Sequence, residues 1–327
     1  MPVRICDNGG WTDTWFGGPG RVLNIAVRPG VDVSIGPAET RDSVLVDLDD
    51  AEGPYPVMHG APRGARHSLV EAAIDMLPPP DGMGLEVSIR CAVALGSAAG
   101  TSAATAVALL AGLSVVRAEQ RSPRDVAYLA HRLEVDVLGV ESGIQDQLSA
   151  VFGGINFLEI DPYPIATVES LGTWEALEER LSLVYLGRAH DSSGVHRQVI
   201  EHLAGHESST VLAQLRNAAV AARHAVLGRD LHAFGQAMIT NTDAQKALHP
   251  ALVGRDAARV IESAARRGAL GWKVNGAGGD GGSVTILNDS RAAKESFDQL
   301  VPNLDAQYRV LPITIASVGL DVKGTLY

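Results

Sequence analysis

An α+β fold in two domains is predicted by three features of this 327-residue chain: a strand-rich opening, strands and helices that follow without strict alternation, and a proline-rich joint. The joint is Asp161-Pro162-Tyr163-Pro164, which divides an N-terminal part, 1–162, from a C-terminal part, 163–327. A hydrophobic content of 46% with 20% charged residues is that of a soluble globular chain able to bury a substantial core.

Val3 to Cys6, Val22 to Val27, Val31 to Ile35 and Ser43 to Asp47 are short apolar runs between Gly-, Pro- and Asp-containing turns, and read as strands. His67 to Met76 has helical periodicity and is stopped by Pro78-Pro79-Pro80. Gly84 to Ala94 alternates as a strand and leads through a small-residue turn into the apolar helix Thr105 to Val116. Ser122-Pro123 with Asp125 is a helix start, and the periodic face from Val126 to Leu138 ends at Gly139. Gly153-Gly154 and Ile155 to Ile160 read as turn and strand. The second half offers a strand at Leu181 to Leu186, then helices at Ser193 to His202, Ser208 to Leu227, Asp230 to Asn241 and Ala257 to Arg267. Strands at Trp272 to Asn275, Ser283 to Leu287 and Ile313 to Ser317 close the chain, with a helix at Ala292 to Leu300 between the last two.

A net charge of −11 and few aromatic residues argue against binding to nucleic acid or to an anionic membrane surface, and favour small-molecule chemistry. Cys91 to Val116 carries no charge over a length that could cross a bilayer. It is mostly Ala, Gly, Ser and Thr, though, and its first part reads as strand and turn, so a membrane span is rejected. Cys6 and Cys91 could form one disulfide at most, and their apolar strand contexts suit free thiols. No basic stretch followed by an apolar core opens the chain, which makes cytoplasm the default compartment, as a monomer or homodimer.

The turn Gly96-Ser97-Ala98-Ala99-Gly100-Thr101-Ser102-Ala103-Ala104 carries the most chemistry. Small side chains let backbone N–H groups approach an anion, and the helix that follows adds the positive end of its dipole. The stretch reads either as a phosphate cradle or as a close helix-packing run. It is no P-loop, because the Gly-Lys-Ser/Thr ending is absent and no basic residue lies between Cys91 and Val116. The cluster Gly276-Ala277-Gly278-Gly279-Asp280-Gly281-Gly282 contains a formal GxGxxG, but a strand pattern follows it where a dinucleotide fingerprint needs a helix. What is left is a glycine-rich strand-to-strand loop, suited to close approach of backbone to a ligand or to a plain hairpin. Phosphoryl transfer needs oxygen ligands for a divalent cation and a group to orient or deprotonate the attacking hydroxyl, and Ser102, Glu134 and Asp146 are of those types. Singly they have plainer readings, as a helix-start hydroxyl, a solvated helical charge and a turn residue. Their combination carries the argument.

These segments, in this order, resemble the three motifs of the GHMP kinase superfamily of sugar and small-alcohol kinases. Arg4-Ile5-Cys6-Asp7-Asn8-Gly9-Gly10-Trp11-Thr12-Asp13 is similar to the N-terminal sugar-binding motif, Gly96 to Ala104 to the ATP-phosphate motif, and Lys273-Val274-Asn275-Gly276-Ala277-Gly278-Gly279 to the third motif. Gly143-Ile144-Gln145-Asp146-Gln147 resembles the catalytic-aspartate loop. Gly9-Gly10-x-Thr12-Asp13, Val22-Leu23-Asn24, Gln145-Asp146-Gln147 and Gly153-Gly154 resemble bacterial heptose 7-phosphate 1-kinases and fucokinase-like sugar kinases in particular.

The resemblance implies a ribosomal protein S5 domain 2-like N-terminal domain and a ferredoxin-like C-terminal one. It implies ATP and Mg²⁺ as cofactors, with the triphosphate on Gly96, Ser97, Ala98, Ala99, Gly100, Thr101 and Ser102, and the cation on Ser102 and Glu134. Asp146 would be the base and Arg4 would stabilise developing charge. Gly10, Trp11, Thr12, Asp13, Gly143, Gly276, Ala277 and Gly278 would form the substrate site. The implied acceptor is a sugar or sugar-phosphate, foremost the anomeric hydroxyl of a heptose- or octose-type sugar with or without a phosphate at its far end. A kinase for a non-sugar alcohol and a catalytically silent sugar sensor are the alternatives. Ala98 and Ala99 stand where the family has Gly-Leu, Thr101 replaces its first serine, and Asp280 interrupts the third glycine run. A terminal phosphate on the acceptor would call for cationic donors, for which Arg188, His190, Arg197 and Lys246 are the candidates.

Overall fold

Three sheets organise the computed structural model, which describes every residue except 49, 51, 59–65, 94–95, 190–191, 205–208 and 325–327. The chain order is β1 (Val3–Asn8), β2 (Gly20–Arg28), β3 (Val31–Pro37), β4 (Val44–Asp47), β5 (Tyr55–Val57), α1 (Ser68–Met76), β6 (Leu85–Cys91), α2 (Thr101–Val116), α3 (Pro123–Arg132) and α4 (Gln145–Phe152). It continues through β7 (Ile155–Ile160), β8 (Ala166–Ser170), α5 (Glu175–Glu178), β9 (Leu181–Tyr185), α6 (Ser192–Ala204), α7 (Ser209–Gly228), α8 (Leu231–Leu248) and α9 (Arg255–Ala265). Last come β10 (Gly271–Val274), β11 (Ser283–Leu287), α10 (Arg291–Leu304), β12 (Arg309–Leu311) and β13 (Thr314–Ile315). The expected element ends at Ala94 and Ser208, and the residues His190 and Asp191, lie outside the described residues.

The first sheet runs β1-β2-β7-β8, with β13 also paired to β2. All six residues of β1 are buried, because α4, α7 and α8 pack against the strand. That burial encloses Arg4 and Asp7 beside Val3, Ile5 and Cys6, so both charges must find partners inside the protein. The second sheet, β3-β6-β4-β5, keeps the period-2 pattern: Leu85, Val87 and Ile89 are buried while Glu86 is exposed. The third sheet has the antiparallel order β10-β11-β9-β12. Numbered within this part of the chain, that is the 4-1-3-2 order of a ferredoxin-like unit read from its other edge.

The expected division at residue 162 does not follow the sheets. β8 lies beyond it yet completes the first sheet through pairs such as Ile160 with Ala166, and β13 returns from near the end of the chain to pair Ile315 with Val27. Asp161 to Pro164 forms the turn inside the β7–β8 hairpin, where Asp161 N donates to the Ile165 carbonyl at 3.0 Å. Proline enrichment there marks a turn between paired strands.

α2 is apolar on every side and buried along most of its length, as a central helix must be. Among the described residues, no helix is long and apolar enough to cross a membrane. Ser122 caps α3 in a reciprocal box with Asp125, and Pro123 occupies the first turn. α3 then widens into a π-helical turn over Leu133–Val137. Cys6 is buried in β1 and Cys91 half-buried in β6, both as free thiols.

Candidate active site

A cleft of about 450 Å³ opens where β1, the turn before α2, the start of α4 and the Gly276 turn converge. The turn before α2 is built for an anion. Gly100 is the N-cap residue, in the left-handed region with φ 72°, and no side chain caps the helix, so its first-turn N–H groups are left without intrahelical partners. The carbonyls on the other side of the turn are taken. Ser283 Oγ donates to Ser97 O at 2.6 Å, the Arg4 guanidinium to Ala98 O, and the Arg4 amide to Ala99 O at 2.9 Å. None of the three is left to repel a phosphate.

Arg4 grips Asp146 with two hydrogen bonds, Nε to Oδ1 at 2.7 Å and Nη2 to Oδ2 at 3.1 Å, the fork geometry that arginine favours with carboxylates. Burial opposes the guanidinium charge, but the carboxylates of Asp146, Asp7 and Asp13 prevail and hold its pKa above the usual value. Asp146 sits in the first turn of α4 and keeps 22% of its side chain exposed, while Arg4 is nearly enclosed at 6%.

Glu134 points inward from the π-helical turn, which interrupts α3 and shifts the register of its face. Its carboxylate accepts from Ser102 Oγ at 3.1 Å, Ser142 Oγ at 2.9 Å and Gln147 Nε2 at 2.6 Å. Burial pushes its pKa up to about 7, with Asp146 adding to the shift and the three donors working against it. Asp13 is buried beside Gln145, accepting from its backbone N–H and from its Nε2, each at 3.3 Å. It thereby caps α4 from a distant segment, since the N-cap residue Ile144 has no side-chain acceptor to offer. Burial, reinforced by Asp146, pushes Asp13 up to about 7 as well. Gly143 lies flat against this carboxylate, where any Cβ would collide with it.

Most of the residues expected at the site line this cleft: Arg4, Trp11, Asp13, Gly96, Ala98 to Ser102, Glu134, Gly143, Asp146, Gly276 and Ala277. Thr12 departs from expectation. It is fully buried, with its one hydroxyl proton shared between Gly9 O at 2.7 Å and Arg21 O at 3.0 Å and its oxygen accepting from Arg21 N at 3.0 Å, so it serves the backbone of this turn and lies off the cleft lining. Ser97, Gly10 and Gly278 also lie off the cleft lining: Ser97 is fully buried, Gly10 backs onto Asp7, and Gly278 is pressed against the Leu252 carbonyl. These three shape the backbone that others present.

A buried polar network ties the first strand to the third motif. Lys273 Nζ lies 3.3 Å from Asp7 Oδ1 and donates to Gln245 Oε1 at 3.1 Å, and Asp7 Oδ1 also accepts from Gly276 N at 3.1 Å. Burial lowers the Lys273 pKa, and Asp7 opposes that shift. Asn275 Oδ1 accepts from Cys6 N at 3.0 Å, and Asn241 Oδ1 from Gly9 N at 2.6 Å. Sequence reasoning gave Asp7, Asn241 and Lys273 no role. The available signal was a charge inside an apolar strand, Asp7 after Ile5-Cys6 and Lys273 between Trp272 and Val274.

Known proteins supply a context for this geometry. The family described as GHMP kinases N terminal domain matches residues 68–154. The chain is 25% identical, over 95% of its length, to the bifunctional fucokinase/GDP-fucose pyrophosphorylase of Arabidopsis thaliana, covering 32% of that protein. It is 25% identical to a D-glycero-alpha-D-manno-heptose 7-phosphate kinase of Campylobacter jejuni over 48% of each chain. These curated relatives are thus spanned over only about a third to a half of their length. A crystal structure of a D-glycero-D-manno-heptose 1-phosphate kinase from Bacteroides thetaiotaomicron superimposes with a TM-score of 0.76 at 19% identity, over 99% of this chain and 98% of that one. At that identity the likeness concerns the fold.

Proposed function

We propose that this chain, which carries a GHMP kinase N-terminal domain within the GHMP kinase fold, is an ATP-dependent phosphotransferase acting on a sugar hydroxyl. The observation that carries the reading is the position of Asp146, whose Oδ2 lies 2.8 Å from where a Cβ on Gly100 would stand. A carboxylate able to accept a proton therefore faces the uncapped amides that suit a triphosphate.

In this reading the acceptor oxygen attacks the γ-phosphorus of ATP while the bond from that phosphorus to the β–γ bridging oxygen breaks. ADP leaves and the hydroxyl proton passes to Asp146. Arg4 holds Asp146 in a single orientation through its two hydrogen bonds and brings positive charge next to the reacting groups. The donor set of Ser102 and Glu134 fits Mg²⁺: both offer hard oxygens, and a buried carboxylate with a raised pKa is one that a cation would favour in its charged form. When bound, the ion would neutralise phosphate charge. Asp13 and Trp11 form the acceptor wall, and the anomeric hydroxyl of a heptose- or octose-type sugar is the first acceptor to test.

The test is ADP release against a panel of sugars and small alcohols, with Asp146→Asn beside the parent. A base contributes about 10² to 10⁴ in rate, so the variant is expected to lose turnover on that scale while still binding nucleotide. Equal turnover in the two proteins removes Asp146 from the chemistry. Sugar-dependent thermal stabilisation without ADP from any acceptor identifies a sensor instead.

A further inference from the structure

We infer that the acceptor is an uncharged polyhydroxy compound that carries no phosphate of its own, an inference that rests on the phosphotransferase reading and narrows it. Two independent observations carry it.

The first is charge. Asp7, Asp13, Glu134, Glu141 and Asp146 line the cleft, whereas Arg4 is the one lysine or arginine among its described lining residues. Three of the five N–H donors of the Arg4 guanidinium are already used, Nε and Nη2 by Asp146 and Nη1 by the Ala98 carbonyl, and its charge is offset by the Asp146 carboxylate. The cations considered for a phosphate-bearing acceptor lie elsewhere. Arg188 pairs with Asp256, Arg197 and Lys246 are exposed off the lining, and His190 falls outside the described residues. A phosphate needs charge-assisted donors, and on the acceptor side it would instead meet Asp13 and Glu141.

The second is a pair of orphaned polar atoms. Trp11 Nε1 and Gln145 Oε1 are enclosed atoms with no hydrogen-bond partner, in residues that line the cleft and are 5% and 6% exposed. One is purely a donor and the other purely an acceptor. The orientation of the Gln145 amide is fixed, because its Nε2 donates to Asp13. A hydroxyl both donates and accepts, so a polyol whose binding opens the wall to these two atoms satisfies both and offers further protons to Asp13. A phosphate oxygen only accepts, and Gln145 Oε1 and Asp13 would both repel it. Trp11 also lies against His196, with ring centroids 4.6 Å apart and the rings tilted by 40°, which gives the wall an aromatic surface suited to the C–H side of a sugar ring.

The experiment pairs each free hexose, heptose and octose with its terminally phosphorylated counterpart, with Mg²⁺ and ATP, and compares kcat/KM by ADP release. The free member of the best pair is expected to be preferred by ~10²-fold, a discrimination typical of sites that leave the wrong ligand's polar groups unpaired or repelled. A preference for the phosphorylated member overturns the inference and leaves the phosphotransferase reading standing. Trp11→Phe removes the ring N–H donor while keeping an aromatic side chain, and is expected to raise the acceptor KM about five- to tenfold with the ATP KM unmoved. An unchanged acceptor KM in the folded variant overturns the assignment of Nε1, and the paired-sugar comparison needs no variant to fold. Nucleotide binding by calorimetry separates the two levels. Binding without transfer to any free sugar overturns this inference, whereas absence of nucleotide binding overturns the phosphotransferase reading and the inference with it.

Discussion

Asp146 and Gly100 occupy each other's space: a Cβ at position 100 would stand 2.8 Å from Oδ2 and 3.0 Å from the carboxyl carbon of Asp146. Glycine is also required by the backbone, which is left-handed there. Gly100→Ala is therefore expected to cost about 1–2 kcal/mol from the backbone and to push the carboxylate aside. Misplacing a reacting group by about 1 Å costs roughly 10²-fold in rate. Turnover measured per folded molecule, with Tm recorded alongside, checks the prediction, and an active Gly100→Ala protein contradicts the proposed placement.

The stability of the ligand-free protein is expected to fall as pH rises from about 4 to about 7, apart from contributions of other groups. Asp13 and Glu134 each have a folded-state pKa of about 7, so between those limits the folded chain holds more protons than the unfolded one. Their contribution is complete below the unfolded pKa and lost as pH passes through the folded one. Tm recorded from pH 5 to 8 should show the decline, and Asp13→Asn should flatten it. Adding Mg²⁺ at pH 8 should recover Tm in the parent and not in Glu134→Gln, whose side chain cannot carry the charge.

Lys273→Met is expected to destabilise by about 3–5 kcal/mol, because it strands the buried Asp7 carboxylate. The double variant Lys273→Met/Asp7→Asn should recover most of the loss, since neither charge then remains buried alone. Chemical denaturation of the parent, the two single variants and the double variant gives the coupling directly. Additive losses would show that the pair does not act as a unit.

Thr12→Val should lower stability by about 1–3 kcal/mol and leave the acceptor KM where it was. The hydroxyl lost is the one that binds the Gly9 and Arg21 backbone. A higher acceptor KM at unchanged Tm would restore Thr12 to the substrate site.

Much of this architecture was legible in the sequence, for reasons that particular elements make plain. β11 follows the apolar run Ser283 to Leu287 residue for residue, and α3 begins where Ser122, Pro123 and Asp125 cap it. Period and capping chemistry are local signals. α4 was not legible as a helix, because Gln145-Asp146-Gln147 is polar and its N-terminus is capped by Asp13, more than a hundred residues away in sequence. The π-helical turn that aims Glu134 inward leaves no mark in a 3.6-residue pattern. β5 and β12 have three residues each, too few for any alternation to register. Among the expected site residues, Arg4, Trp11, Asp13, Ser102, Glu134 and Asp146 line one cleft. Thr12 does not, because a hydroxyl two residues from a glycine turn can as readily serve the turn as a ligand.

β13 has a bearing on how the molecule assembles. Ile315 pairs with Val27 on β2, the same strand that aligns β1 and with it Arg4. On the ribosome β13 is made only after β9 to β12, so the sheet that holds the arginine steadying Asp146 lacks its fifth strand until that part of the chain has been translated. The sheet around Arg4 is therefore expected to be completed only once both halves of the chain are present, rather than half by half.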